Sequence, residues 1–129
     1  MYKICKRFTF DSSHKLWDKD LSEDENMRIF GKCANAPSHG HTYTCEVRLK
    51  GDTLNHGMVV NFTEIKEIVK RVVLDEFDHH FINELMPGQI TTAENVAKLF
   101  YERIKARLPQ LYAIRIWETP NNWAEYRES

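Results

Sequence analysis

Alternation of apolar and polar positions is the first pattern visible along the chain. It covers residues 2–14, 39–50 and 112–118, and in each stretch every second side chain is mostly apolar while its neighbours are polar. Successive side chains of a β-strand point to opposite faces, so the pattern predicts three strands, each with one solvent-exposed face. Residues 123–127, which follow Pro120, are long enough for a last short strand.

A helical period replaces the alternation after Asn61. Its apolar stripe comprises Phe62, Ile65, Ile68, Val69, Val72 and Val73. A second stripe comprises Val96, Leu99, Phe100, Ile104 and Leu108. We expect this second helix to start near Thr91, which has capping-box spacing to Glu94, and to end before Pro109. Ser22 and Glu25 have the same spacing and predict a short helix over residues 21–30.

The predicted order of elements is strand, strand, helix, helix, strand, strand. This order fits an α+β fold in which a four-stranded antiparallel sheet carries both helices on one face. A chain of 129 residues has the size of a single domain, so we expect one domain over residues 1–129. The sheet would leave one face and two edges uncovered, which favours assembly into a homo-oligomer.

Composition excludes several classes of protein. The formal net charge is −1, from 18 basic and 19 acidic residues, and no basic block stands out, so nucleic acid is not expected as a main partner. No apolar run approaches the ~20 residues of a membrane span. An odd number of cysteines, Cys5, Cys33 and Cys45, without an apolar leader at the start favours reduced thiols in the cytoplasm.

Three histidines lie in the apolar phase of predicted strands. His14 is in phase with Phe10, and His39 and His41 are in phase with Tyr43. Three imidazoles suit a tetrahedral zinc ion whose fourth position stays open for water or substrate, which is the pattern of catalytic zinc. Two other interpretations remain open: histidines that bond to the backbone at strand ends, and a closed structural site with Cys33 as the fourth ligand.

Four further residues are candidates for chemistry. A loop thiol such as Cys33 acts as base or nucleophile beside a metal, or else is a small buried residue. Asp78 next to His79 forms a pair in which the carboxylate orients the imidazole, or else both face water at a helix end. Glu118 ends a strand in its apolar phase, where it can accept two N–H groups from a flat guanidine-like edge or turn to solvent.

Six segments of the chain, taken together and in order, resemble the 6-pyruvoyl-tetrahydropterin synthase and 6-carboxytetrahydropterin synthase family. They are FDSSH, FGKCANAPSHGHTY, GMVVNFTEIK, FDHHFIN, TTAENVA and WETPNN. The resemblance covers almost the whole chain. It implies a tunnelling fold (T-fold), in which the sheets of three subunits close into a barrel, two trimers usually stack, and the active sites lie between subunits.

The resemblance also implies roles for particular residues. By position, His14, His39 and His41 correspond to zinc ligands, Cys33 to the catalytic thiol, and Asp78 and His79 to its relay partners. Glu118 corresponds to the residue that grips the pterin ring. Glu94 and Thr92 are similar to residues that lie near the pterin.

The implied function is that of a zinc-dependent lyase that converts 7,8-dihydroneopterin triphosphate, with loss of triphosphate, to a 6-substituted tetrahydropterin. The spacer ANAPS between Cys33 and His39 is longer than in many bacterial 6-carboxytetrahydropterin synthases, which favours the pyruvoyl-forming branch. Phe77 stands where the family pattern has leucine. The alternatives are a 6-carboxytetrahydropterin synthase of queuosine biosynthesis, which releases acetaldehyde, and a non-catalytic zinc-stabilised module that binds pterins.

Overall fold

The computed structural model describes residues 1–128. Its strands are β1 (Tyr2–His14), β2 (His39–Gly51), β3 (His80–Phe81), β4 (Leu111–Thr119) and β5 (Asn122–Arg127). Its α-helices are α1 (Glu23–Phe30), α2 (Phe62–Val69), α3 (Asp75–Phe77), α4 (Ile82–Leu85) and α5 (Ala93–Lys105). A 3-10 turn covers Gly31–Ala34, and a π-helical segment, Lys70–Leu74, joins α2 to α3.

The strands form one open, mixed sheet with the order β3-β1-β2-β4-β5. Strands β1 and β2 pair antiparallel over their whole length, from Tyr2 opposite Gly51 to His14 opposite His39. Strand β2 pairs antiparallel with β4, and β4 with β5. The register of the first pair therefore brings the last residues of β1 and the first residues of β2 together at one end of the sheet.

The prediction of four antiparallel strands misses a fifth, very short one. Residues His80–Phe81 pair in parallel with Ser12 and Ser13 at the outer side of β1. The Ser12 hydroxyl also bonds to the carbonyl oxygens of Phe77 and His80, which fastens this segment to the sheet. Two residues are too few to show an alternation, so the pattern contained no signal for this strand.

The helix starts follow the predicted capping with one correction. Ser22 and Glu25 form the expected capping box of α1, and Asn61 caps α2. The capping box predicted for Thr91 and Glu94 is wrong. Thr92 caps α5, with its hydroxyl accepting from the N–H of Asn95, so that α5 begins two residues after Thr91. Thr91 is instead fully buried beside the end of β1.

The core lies between the sheet and the helices on one of its faces, as predicted. Tyr43 and Phe10 stack with ring centroids 4.9 Å apart, and Phe100 of α5 packs on Phe10 at 5.6 Å. The other fully buried residues of this face and of the helices include Val47, Leu49, Ile65, Val69, Val96, Ile104, Ile114 and Ile116. Removing such side chains from water is the main favourable term in folding. Among residues 1–128, no helix combines the length and the apolar character needed to cross a membrane.

The helix-free face of the sheet is charged. At its centre the carboxylate of Glu46 is only 2% exposed and accepts a hydrogen bond from Arg7 Nε at 2.7 Å and another from Arg48 Nη2 at 2.9 Å. The guanidinium of Arg115 lies 3.8 Å away. Burial alone would raise the pKa of Glu46, but the hydrogen bonds from Arg48 and Arg7 outweigh it, and the pKa is lowered. We call Glu46 and these three arginines the Glu46 cluster.

Candidate metal centre and active site

Three histidine rings lie close together at the end of the sheet where β1 finishes and β2 begins. His14 lies opposite His39, and His41 lies two residues further along β2 on the same face. The ring centroids are 4.6 Å apart for His14 and His39, 5.2 Å for His14 and His41, and 4.9 Å for His39 and His41. One nitrogen of each ring lies within 4.8 Å of the other two. We call this group the histidine trio.

The backbone fixes the orientation of His14. Its Nδ1 atom lies 2.7 Å from the carbonyl oxygen of Thr91, and a carbonyl only accepts, so Nδ1 carries the proton and donates. The lone pair of this imidazole is therefore on Nε2. Among the described residues, the buried Nε2 atoms of His14 and His41 have no hydrogen-bond partner.

Burial also determines the charge of His14 and His41. Loss of hydration lowers the pKa of His14 to about 4, although the bond to the Thr91 carbonyl works in the opposite direction. Burial lowers the pKa of His41 as well, against the attraction of the Glu118 carboxylate. His14 and His41 are thus neutral imidazoles at pH 7, the form in which histidine binds a metal.

These observations fit a bound divalent metal. Two buried ring nitrogens without partners cost free energy, and a shared metal ion would satisfy both of them. Three imidazoles leave one position open in a tetrahedral shell, the arrangement of catalytic zinc sites. Among residues 1–128, two groups lie close enough to share an ion: the histidine trio, and the exposed side chains of Asp11, Asp78 and His79; neither includes the sulfur of Cys33. The closed site with Cys33 as a fourth ligand is therefore not the arrangement in this chain.

Cys33 lies in the 3-10 turn that follows α1. Its side chain is half-buried, and its carbonyl oxygen accepts a hydrogen bond of 2.8 Å from the N–H of Leu16. Leu16 comes two residues after His14, so this bond anchors the turn to the chain that leaves the histidine trio. Cys45 is fully buried in the core and Cys5 is exposed on the other side of the sheet.

Asp78 and His79 form the predicted pair, just before β3. Asp78 Oδ2 lies 3.0 Å from His79 Nδ1, and Asp78 Oδ1 accepts the N–H of Asp11 at 2.9 Å. The N–H of Asp11, and then the His79 ring, lower the pKa of Asp78. His79 adopts a φ of 58°, a rare value for a residue with a side chain, and its own N–H donates to the carbonyl of Asp11. The ring is largely exposed, and its Nε2 atom is directed away from the carboxylate.

A groove of about 600 Å³ connects this pair to the histidine trio. His41, Thr42, His79 and His80 are among its lining residues. On the other side of His41 a second cavity of about 630 Å³ includes Glu118. Glu118 Oε2 lies 3.9 Å from His41 Nε2, so a carboxylate stands directly beside the trio.

Glu118 also contributes to a third cavity, of about 450 Å³, together with Glu94 and Trp123. The two carboxylates predicted to lie near the ligand therefore share one pocket. Thr92 uses its hydroxyl to cap α5, and its neighbour Ala93 lines that pocket. Residue type gives no signal for Thr91 as the partner of His14, because the contact is made by a main-chain carbonyl.

Comparisons with known proteins agree over the whole length of the chain. Residues 3–129 match the family model described as 6-pyruvoyl tetrahydropterin synthase. The 6-pyruvoyl tetrahydrobiopterin synthase of Dictyostelium discoideum is 41% identical over 129 residues, covering 96% of this chain and 94% of the relative. The 6-carboxy-5,6,7,8-tetrahydropterin synthase of Haemophilus influenzae is 36% identical over 153 residues, covering 99% of this chain and 100% of the relative.

A solved structure shows the same architecture. The 6-pyruvoyl tetrahydropterin synthase of Caenorhabditis elegans superimposes with a TM-score of 0.93 at 33% identity, covering 99% of this chain and 96% of the other. The family match and these relatives, all named synthases, confirm the expected family and an enzyme of this kind. The chain therefore belongs to the 6-pyruvoyl tetrahydropterin synthase family.

Proposed function

We propose that this chain is a zinc-dependent lyase that converts 7,8-dihydroneopterin triphosphate, with loss of triphosphate, to 6-pyruvoyl-tetrahydropterin. The observation that carries the proposal is the histidine trio, in which the Nε2 atoms of His14 and His41 are buried and, within residues 1–128, have no hydrogen-bond partner. A structural histidine at a strand end would bond to the backbone through both nitrogens or face water. His14, His39 and His41 would hold the metal.

The residues around the trio suit proton transfer on a hydroxylated side chain. When bound, zinc polarises the substrate hydroxyls and acidifies the neighbouring C–H bonds. The Cys33 thiolate would take a proton from a side-chain carbon. His79, held through Nδ1 by Asp78, presents Nε2 as the second site for proton transfer. Expulsion of triphosphate and tautomerisation then reduce the ring and oxidise the side chain together, so no redox cofactor is required.

The pocket shared by Glu118 and Glu94 would receive the pterin ring. A carboxylate accepts two N–H groups from a flat aminopyrimidine edge in the same way as it does from arginine. Thr92, at the start of the helix that carries Glu94, would lie at the margin of this pocket. Because Glu118 is also within 3.9 Å of His41, a ring bound there would place its side chain close to the metal.

We also propose that the protein is a cytoplasmic homohexamer, a dimer of trimers. One face of the sheet carries no helix, and the outer edges of β3 and β5 have no partner strand among the described residues. Such edges are normally covered in a folded protein. Closure of three sheets into a barrel would cover both features, and light scattering of the purified protein measures the number of chains directly.

A Cys33→Ala variant, with Cys5→Ala as the matched control, tests the proposed activity. Purified protein is incubated with 7,8-dihydroneopterin triphosphate, and zinc content, released triphosphate and product mass are measured. We expect Cys33→Ala to keep about one zinc per chain and to lose triphosphate release, while Cys5→Ala keeps both. Full turnover by Cys33→Ala would refute the role of the thiol, and zinc binding without any turnover by wild type would indicate a pterin-binding module.

The main alternative is 6-carboxytetrahydropterin synthase, which the resemblance to the Haemophilus influenzae relative supports at 36% identity. The two reactions share a substrate and differ in what happens to the side chain. Mass spectrometry distinguishes them, since the alternative product lacks the two terminal side-chain carbons and acetaldehyde is released. Acetaldehyde in the reaction mixture would overturn the first assignment and leave the metal centre in place.

A further inference from the structure

We propose that Asn83 is a positioning residue for the metal centre, and that it fixes the direction of His14 through Lys15 and Thr91. This inference rests on the proposed function for its metal and concerns residues that touch neither metal nor substrate. Asn83 belongs to the short helix α4, 68 residues away from Lys15 in sequence.

Asn83 bonds to Lys15 in both directions. Its side-chain Nδ2 donates to the carbonyl oxygen of Lys15 at 2.7 Å, and its Oδ1 accepts the N–H of Lys15 at 3.0 Å. This is the pattern that a partner strand would offer to the backbone. Because β1 ends at His14, the side chain of Asn83 acts as one more rung directly after the metal ligand.

The same amide reaches the second support of His14. The Thr91 hydroxyl has Asn83 Oδ1 as its nearest acceptor, at 3.3 Å, with the Lys15 carbonyl oxygen at 3.4 Å, and Thr91 is fully buried. The carbonyl oxygen of Thr91 is the acceptor for His14 Nδ1. Asn83 thus contacts both the residue that follows the ligand and the residue that fixes its tautomer.

Only a carboxamide supplies these contacts at once. Asparagine carries two donors and a carbonyl oxygen with two lone pairs, and this site uses one donor and both lone pairs. Outer partners that orient a metal-bound histidine typically change metal affinity 10- to 100-fold when they are removed. We infer that Asn83 holds His14 Nε2 towards the other two rings, so its effect should be on metal binding.

An Asn83→Ala variant tests the inference, with Asn95→Ala as the matched control. Asn95 also donates from Nδ2 to a backbone carbonyl, that of Ile90, at 2.8 Å, but it is exposed and, among the described residues, makes no side-chain hydrogen bond to Lys15 or Thr91. The measurements are the Zn²⁺ dissociation constant, by competition with a chromogenic chelator, and the visible spectrum of the Co²⁺-substituted protein. Thermal unfolding of the metal-free protein is recorded alongside.

We expect Asn83→Ala to weaken Zn²⁺ binding by about 10- to 100-fold and to alter the intensity of the Co²⁺ bands. Asn95→Ala should keep both at wild-type values. A residue with a merely structural role would lower the melting temperature without changing the Co²⁺ spectrum of the folded protein. Wild-type Zn²⁺ affinity and spectrum in folded Asn83→Ala would overturn the inference.

Thr91→Val decides the question if Asn83→Ala does not fold. Valine keeps the shape of threonine and the main-chain carbonyl, and removes the hydroxyl, which lies 3.3 Å from Asn83 Oδ1 and 3.4 Å from both the Lys15 carbonyl oxygen and His14 Nδ1. We expect weaker Zn²⁺ binding by about 3- to 10-fold, below the full effect of an outer partner, with an altered Co²⁺ spectrum. Unchanged values overturn the inference alone, whereas a wild-type protein that binds neither ion overturns the proposed function as well.

Discussion

Two buried ionisable side chains, Glu46 and His14, lie on opposite faces of this sheet, and they differ in whether their own polar atoms all have partners. In the Glu46 cluster the carboxylate receives hydrogen bonds from Arg7 and Arg48, with Arg115 close by. In the histidine trio the buried Nε2 atoms of His14 and His41 have no partner within residues 1–128. The Glu46 carboxylate is satisfied within the chain, although Arg48 Nε has no partner among the described residues, whereas two ring nitrogens of the trio are left without one.

The pKa values show the same difference. Burial raises the pKa of a carboxyl group, yet bonds from arginines reverse this for Glu46 and lower its pKa. Burial lowers the pKa of His14 to about 4, and the hydrogen bond to the Thr91 carbonyl does not restore the ordinary value. A satisfied carboxylate is expected to contribute to folding, whereas two neutral ring nitrogens without partners, in a group of three imidazoles close enough to share an ion, indicate a ligand. The comparison thus predicts that stability and metal binding respond to different substitutions.

His14→Asn should have the largest effect, and on metal binding. The Asn Nδ2 atom takes the place of His Nδ1, so the bond to the Thr91 carbonyl is kept while the metal-facing Nε2 atom is removed. We expect Zn²⁺ affinity to fall by at least about 100-fold, since a ligand matters more than an outer partner. Isothermal titration calorimetry with Zn²⁺ measures the loss.

His56→Asn is the matched control for that experiment. His56 is exposed in the turn before α2 with a φ of 51°, a conformation that asparagine tolerates well. The His56→Asn variant should bind Zn²⁺ with the affinity of the wild-type protein. Equal Zn²⁺ affinity in His14→Asn and His56→Asn would show that the unpartnered Nε2 atom of His14 does not bind the metal.

The stability of the metal-free protein should decrease as the pH falls from 7 to 5. The folded pKa of His14 is about 4, below the ordinary value of 6.5, so between these values the unfolded chain binds more protons than the folded one. Stability therefore rises with pH in this window, and the His14 contribution amounts to about 2 kcal/mol between pH 5 and 7. Urea unfolding of chelator-treated protein at both pH values measures it.

The His14→Asn variant isolates this contribution. Without the imidazole, the difference in unfolding free energy between pH 7 and pH 5 should shrink by about 2 kcal/mol. Glu46 does not interfere, because it is present in both proteins and its lowered pKa keeps the folded form ionised over this range. The same pH dependence in variant and wild type would mean that His14 is not the buried neutral group that the structure describes.

Glu46→Gln should affect stability and leave metal binding unchanged. The substitution keeps the size of the side chain but replaces an ionic acceptor of two arginine bonds with a neutral amide. Bonds to charged groups contribute about 1.5–3 kcal/mol each, and the retained amide oxygen replaces part of this, so we expect a loss of about 1 to 2 kcal/mol. Urea unfolding and Zn²⁺ titration of the same sample test both statements, and a large change in Zn²⁺ affinity would contradict the second.

The sequence predicted the parts of the fold and site that depend on side-chain type and spacing. Strands β1, β2 and β4 and helices α2 and α5 follow from periods of two and 3.6 residues. His14, His39 and His41 were found because they continue apolar phases to the strand ends. The pairing of Asp78 with His79 followed from adjacency, and the family resemblance placed Glu118.

Main-chain contacts are what the sequence could not predict. Strand β3, the carbonyl of Thr91 as partner of His14, and the N–H of Asp11 as partner of Asp78 all depend on backbone atoms that every residue possesses. The exchange of Thr91 for Thr92 as the cap of α5 has the same origin. Two adjacent threonines are equally good caps by type, and the one beside His14 is buried by the tertiary structure.

Thr92→Ala should have the smallest effect. It tests whether a satisfied side chain close to the histidine trio affects metal binding. Thr92 lies next to the partner of His14, yet its hydroxyl is satisfied by the N–H of Asn95. If satisfied groups act on folding alone, its loss costs about 1 kcal/mol of stability and leaves Zn²⁺ affinity unchanged. Ser22→Ala, which removes the corresponding cap of α1, should cost a similar amount. A change in Zn²⁺ affinity confined to Thr92→Ala would show that nearness to the metal, rather than an unsatisfied atom, defines the site.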